Sequence, residues 1–304
     1  MVVITLFHEP SFVEKLRGIE SQVQVHALLA AMLAFAVRFS PIQNSNGSTM
    51  DITTPPDANE RATHFLVLAF KYIDKALEEC GDQLPPLCIL QACIIATHCQ
   101  LTQGVLGKAW RSLGTCVRLA YEMNLHLVDM RGTQDPSGDD PTQWSYNEEK
   151  RRSWWAIWEM DVFATTIRRT PTAIDWSQIE TLLPVEDEYW FHNQPQPSCF
   201  LAQDPIYRWK ALTELGNQSP KAWFIVINSL MKEAQRISSP RGIRTPSQPS
   251  ESPLAGAKIK RSRCNSDVVD EARQKLETIA NAVQCFLLAL PTHLRYQNQY
   301  LGFD

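Results

Sequence analysis

No two of the eight cysteines stand three residues apart, so the chain holds no CxxC half of a zinc site. GxGxxG, a phosphate-binding loop and GxSxG are missing too, and Gly104 and Gly107 before Lys108 do not make the phosphate-loop spacing. Neither sign of charge dominates, with a formal net charge of −4 over 304 residues. A dedicated nucleic-acid module is usually basic with clustered Lys and Arg, so the chain as a whole is not a polyanion-binding surface. Uninterrupted apolar runs are short. The longest, 27–37, falls below the length that spans a bilayer, and the apolar start at 1–7 lacks a basic leader. No stretch alternates apolar and polar residues between turn signals as a strand would.

What remains is ordinary globular composition, 44% hydrophobic and 20% charged, enough for one large domain or two smaller ones. Several cysteines sit inside apolar helical runs, which fits reduced, buried thiols of a soluble intracellular protein. Helical periodicity recurs at 23–39, 60–79, 85–100, 107–127, 147–168, 204–215 and 220–237. Glu148 and Glu149 fall at the start of one of these, where acidic side chains suit the helix dipole. The stretch 131–144 reads as a polar loop, and 170–203 as an irregular segment crossing the helices. Composition changes at 238–266, rich in Ser, Pro and basic residues and poor in apolar ones, which reads as a disordered linker. A last amphipathic helix, 267–290, carries Val268, Ala272, Leu276, Ile279, Val283 and Phe286 on one stripe. The expected fold class is all-α, a multi-helix packed array of antiparallel helix pairs with one long irregular crossing segment. The expected divisions are 1–237, a helical domain; 238–266, the linker; and 267–304, a terminal helix and tail.

Each candidate for site chemistry has a plainer explanation. Cys88, Cys93 and Cys99 are the densest thiols, yet Cys88 and Cys99 on one helix lie about 16 Å apart, whereas a single metal needs sulfur at about 2.3 Å. Core packing is the expected role. His126 and Asp129 are one turn apart but lack HExxH or a third partner, and a His near a helix C-terminus can contact the last carbonyls. Asp267-Val-Val-Asp270-Glu271 resembles acidic magnesium motifs of helical terpenoid enzymes, but acidic residues at a helix start need no metal.

The informative segment runs from Gly107-Lys-Ala-Trp110 through Gly114, Arg118 and Glu122 to His126 and Asp129. Glu148-Glu-Lys-Arg151-Arg152-Ser-Trp154-Trp155-Ala-Ile-Trp158-Glu-Met-Asp161 follows, then Arg168-Arg-Thr-Pro171-Thr-Ala-Ile174-Asp175 and Leu183-Pro184. In order and spacing this resembles the fungal-specific transcription factor domain, the middle regulatory region of fungal zinc binuclear cluster regulators. Leu6-Phe7-His8-Glu9-Pro10-Ser11-Phe12 also resembles that family's early His-x-Pro-x-Phe signature, so the resemblance covers about 6–237.

The same residues make physical sense by themselves. Gly107 and Gly114 share a helix face with Ala120 nearby, so a second helix is expected to approach closely there. Arg118 and Glu122 make an i,i+4 pair. Arg151, Arg152 and Asp161 bring charge beside Trp154, Trp155 and Trp158, where Arg–indole stacking is expected within a helix-pair core. The resemblance implies a transcriptional regulator in the nucleus, not an enzyme, responsive to a small effector and acting through other transcription proteins. Regulation of a secondary-metabolite gene cluster is plausible for the family. A homodimer and a heterodimer both stay open, and no membrane role is expected. Because the first signature falls almost on Met1, the zinc module is expected to be absent. DNA would be met only indirectly, through a partner or an upstream zinc cluster missing from this chain; zinc is expected only in that case, and no other cofactor. A helical enzyme with an unrecognised site and a truncated, non-functional remnant stay open as alternatives. Lys258, Lys260, Arg261 and Arg263 form a candidate nuclear-import signal.

Overall fold

The computed structural model describes residues 5–39, 58–130, 140–238 and 258–295. Every regular element among them is helical, so the fold is all-α. The chain divides into two compact units, one of Val3–Leu182 with Asp187–Pro195, the other including Leu183–Glu186 and Gln196–Asp304.

The first unit opens with α1, Glu9–Arg17, which the periodicity missed. Its signals are positional: His8 is the N-cap, Glu9 favours the positive end of the dipole, and Pro10 stands in the first turn, where its missing N–H costs nothing. α2 (Gln22–Ala36) packs against α3 (Ala58–Cys80) and α4 (Leu87–Leu101). With the short 3-10 turn after it, Gln22–Phe39 is 18 residues long at a mean hydropathy of 1.4, long and apolar enough by composition to cross a membrane. In the fold Ala27, Ala31 and Ala34 of this helix are fully buried. α4 is the central helix, buried on several sides, as its continuous apolar run leads one to expect.

α5 is Gly107–Glu122, shorter than the expected 107–127. Asn124 adopts a left-handed conformation (φ 54°), which Asn tolerates, and breaks the helix before a 3-10 turn at Leu125–Leu127. α6, Pro141–Arg168, starts six residues before the expected 147. Asp140-Pro141 looks like turn chemistry but is a helix start: the Asp140 carboxylate accepts from the N–H of Thr142 and Gln143, and Pro141 is the first helical residue. α7, Asp187–Phe191, is a single turn inside the expected irregular segment.

In the second unit, α8 (Pro205–Leu215), α9 (Pro220–Ser238) and α10 (Lys258–Ala289) pack on one another. Gly216, at φ 71°, ends α8 in the left-handed conformation that glycine adopts freely. The expected α10 stripe is sound, since Ile279 and Phe286 are buried and Phe286 lies 5.3 Å from the Trp223 ring. The helix nevertheless begins at Lys258, nine residues before the expected 267, so 258–266 is helix and not irregular linker. Residues 239–257 of that expected linker lie outside the described residues, as does the tail from 296.

Candidate functional site

α6 carries most of the sequence-predicted residues, and its early start changes what they do. Glu148 and Glu149 do not serve a helix N-terminus; they lie two turns inside the helix, at 0% and 4% exposure. Buried carboxylates need partners, because desolvation strongly disfavours an isolated charge. Arg151 and Arg152 supply them. Arg151 forks onto Asp129 through Nε at 2.9 Å and Nη2 at 2.6 Å, and its Nη1 reaches Glu148 at 3.3 Å. Burial alone would lower the Arg151 pKa, but Asp129 and Glu148 together hold it above its ordinary value. Arg152 donates from Nε to Glu148 at 2.9 Å, pairs with Asp187 of α7, and lies 4.1 Å from the centroid of the Trp190 ring. The result is one chain of charge from Asp129 through Arg151, Glu148 and Arg152 to Asp187. Asp129 Oδ2, which accepts from Arg151 Nε, also accepts from the N–H of Leu182 at 2.8 Å.

A second branch starts at Glu149. It accepts from Gln91 Nε2 at 3.0 Å and pairs with Lys15 of α1. Beside it, His8 meets the carbonyl of Trp190 through Nε2 at 3.0 Å and Ser11 through Nδ1 at 2.7 Å. Burial lowers the His8 pKa, and the Trp190 contact opposes that shift. The His-x-Pro-x-Phe signature therefore ties α1 to α7. Between α1, α2, α4 and α6 a half-open cavity of about 150 Å³ remains.

The indoles lie along the same helix. Trp154 is fully buried against Tyr121 (centroids 5.6 Å apart) and His126 (6.0 Å). Trp155 donates to the carbonyl of Leu182 at 2.7 Å, and Trp158 lies 5.5 Å from it. Asp161 accepts from the N–H groups of Ala173 and Ile174 at 2.9 and 3.1 Å, pinning the segment after Pro171. Pro171 itself is exposed.

Several expectations change. Among the described residues no arginine stacks on Trp154, Trp155 or Trp158; Arg152 takes Trp190, and Arg168 lies 4.8 Å from Trp110. Gly107 and Gly114 are exposed, and a Cβ at Gly114 would meet nothing within 4 Å, so no helix approaches closely there among the described residues. Arg118 and Glu122 are also exposed, without an ion pair between them among the described residues. His126 and Asp129 diverge, His126 toward aromatic rings and Asp129 toward Arg151. Asp270 and Glu271 lie well inside α10, and Glu271 pairs with Lys275 one turn on. Lys258, Lys260, Arg261 and Arg263 fall on the first turns of α10, with their side chains outside the described residues.

Sequence reasoning missed Glu148, Asp129 and Asp187 as one network. The available signal was a Glu-x-x-Arg-Arg run inside an otherwise apolar helix. Chemically the arrangement is closed: each carboxylate is answered by a guanidinium, an ammonium or an amide. Cys93 and Cys116 lie 3.3 Å apart in the core, and burial pushes the Cys116 thiol well up, which suppresses thiolate chemistry.

Residues 2–239 match the family described as the fungal specific transcription factor domain. The chain is similar to the transcription factor tazR of Aspergillus terreus, 28% identical over 121 residues, 39% of this chain and 18% of that protein. It is also similar to the Zn(2)-C6 fungal-type transcription factor FTF1c of Fusarium oxysporum f. sp. lycopersici, 28% identical over 202 residues, 64% of this chain and 20% of that one. The tropolone cluster transcription factor tropK of Talaromyces stipitatus is 25% identical over 105 residues, 34% of this chain and 18% of its own length. The chain thus spans about a fifth of the length of these curated relatives. No solved structure matches. The match over residues 2–239 takes in well over half of the sequence, and the chain belongs to the fungal-specific transcription factor domain family.

Proposed function

We propose that this chain is the regulatory helical domain of a fungal transcriptional regulator, not an enzyme, acting in the nucleus through contacts with other transcription proteins. The family match across residues 2–239 carries this reading. The charge network supports it, because its carboxylates and cations are spent on one another within the fold and so serve as scaffold. Sequence-specific DNA contact comes from a partner or from a zinc cluster lying outside these 304 residues. A secondary-metabolite gene cluster is the proposed target class, since one relative is named for a tropolone cluster and another, from Monascus ruber, for pigment biosynthesis. The segment bearing Lys258, Lys260, Arg261 and Arg263 is proposed as the import signal.

The purified chain tests the division of labour. It is expected to hold no stoichiometric zinc and to show no sequence-specific DNA affinity. One zinc or more per chain after dialysis, read by elemental analysis, or a specific duplex selected from a random pool, would contradict it.

A further inference from the structure

We propose that the cavity between α1, α2, α4 and α6 is a binding site for a small monocyclic phenol, the effector class to which this domain responds. The effector part rests on the regulatory reading above; the binding itself does not. Three observations converge on the ligand. The first is size: the space is about 150 Å³, and an engineered apolar cavity of about that volume holds one benzene. The second is the lining. Phe12, Leu16, Leu28 and Leu87 come from three helices, and Phe7 stands edge-on to Phe12 at 5.1 Å, so most of the wall suits a flat apolar ring.

The third is the polar end. Lys15, Gln91 and Glu149 all line the cavity. Glu149 pairs with Lys15 and accepts from Gln91, and a carboxylate offers about four acceptor positions, so acceptor capacity remains. Lys15 uses one of its donors on Glu149 and keeps 41% of its side chain exposed. A hydroxyl complements such a pair from both sides with a single atom, donating to the carboxylate while accepting from the ammonium. A ligand carboxylate would meet Glu149 as a like charge, and a ring without a polar group would leave the remaining hydrogen-bonding positions of the pair unused. The signature residue Phe7, otherwise explained only by packing, thereby gains a second purpose at the wall of the site.

Fluorine NMR on the purified chain tests this with para-fluorophenol, fluorobenzene and para-fluorobenzoate as probes. The expected result is saturable binding of the phenol, about tenfold tighter than fluorobenzene, with the benzoate weakest. Leu16→Trp and, at a different wall, Cys88→Met fill the space and abolish binding; either variant suffices if the other does not fold. Glu149→Gln brings phenol and fluorobenzene to near parity. Non-saturable signals, equal affinity for phenol and fluorobenzene in the parent, or undiminished binding in both filled variants would each overturn the proposal. Binding is read without transcription, so a transcriptionally inert domain that still binds phenol would sink the regulatory reading alone.

Discussion

Arg151 is held by two carboxylates in a place where almost no water reaches it, and this makes it the most revealing single position. Removing one partner of a buried ion pair leaves the other charge unanswered, which typically costs about 3–5 kcal/mol. Arg151→Met is therefore expected to lower the unfolding free energy by about that amount in urea titrations. Adding Asp129→Leu should recover part of the loss, since the double variant strands one fewer charge. If Arg151→Met melts like the parent, the network does not hold α6. Trp154 gives an apolar counterpart: it is fully buried between Tyr121 and His126, and Trp154→Ala or Trp155→Ala should each cost about 3–5 kcal/mol. His8 adds a pH signature. Burial favours its neutral ring in the fold, so its pKa lies below the ordinary 6.5 and the unfolded chain binds the proton more readily. The stability this confers is complete above that ordinary value and is lost as pH falls below it. His126 is shifted in the same direction, also by burial. Unfolding free energy should fall between about pH 7 and pH 5, and His8→Asn should flatten that slope; an unchanged slope would remove His8 from the account.

At the scale of the element, helix ends and helix faces were legible to different degrees. The apolar periods of α3 and α9 lie plainly in the sequence, because burial on one side of a helix writes a pattern of 3.6 residues, and α4 is legible instead as a continuous apolar run. Ends obey local chemistry. Asp140-Pro141 reads equally as a turn or as an N-cap with a proline at the first helical position, and only the fold decides between them. Asp140→Ala should cost about 1 kcal/mol. That same ambiguity misplaced Glu148 and Glu149, and so hid the charge network, whose other members, Asp129 and Asp187, come from segments without helical period. Gly114 shows the opposite failure. Its spacing from Gly107 suggests helix contact, but spacing cannot say whether a neighbour is present, and the structure shows open space. Gly114→Ala should therefore stabilise the protein by about 0.5–1 kcal/mol, since helix propensity improves without a clash. A loss in melting temperature would restore the close-contact reading.

For the whole molecule, the match over residues 2–239 makes the chain a member of the fungal-specific transcription factor domain family, while its role in transcription, its target and its effector class stand as proposals. A fluorescent fusion too large for passive entry into nuclei should accumulate there, and changing Lys258, Lys260, Arg261 and Arg263 to Ala should abolish that accumulation. Unchanged accumulation would take this segment out of the mechanism. The most direct measurement of the central claim is transcription itself: the whole chain fused to an unrelated DNA-binding domain, in a fungal host carrying a reporter with that domain's sites. The account expects reporter output to differ several-fold from that of the DNA-binding domain alone, and to revert toward it in the Arg151→Met variant. A fusion that is expressed, nuclear and bound at the promoter, yet leaves output unchanged, would contradict it.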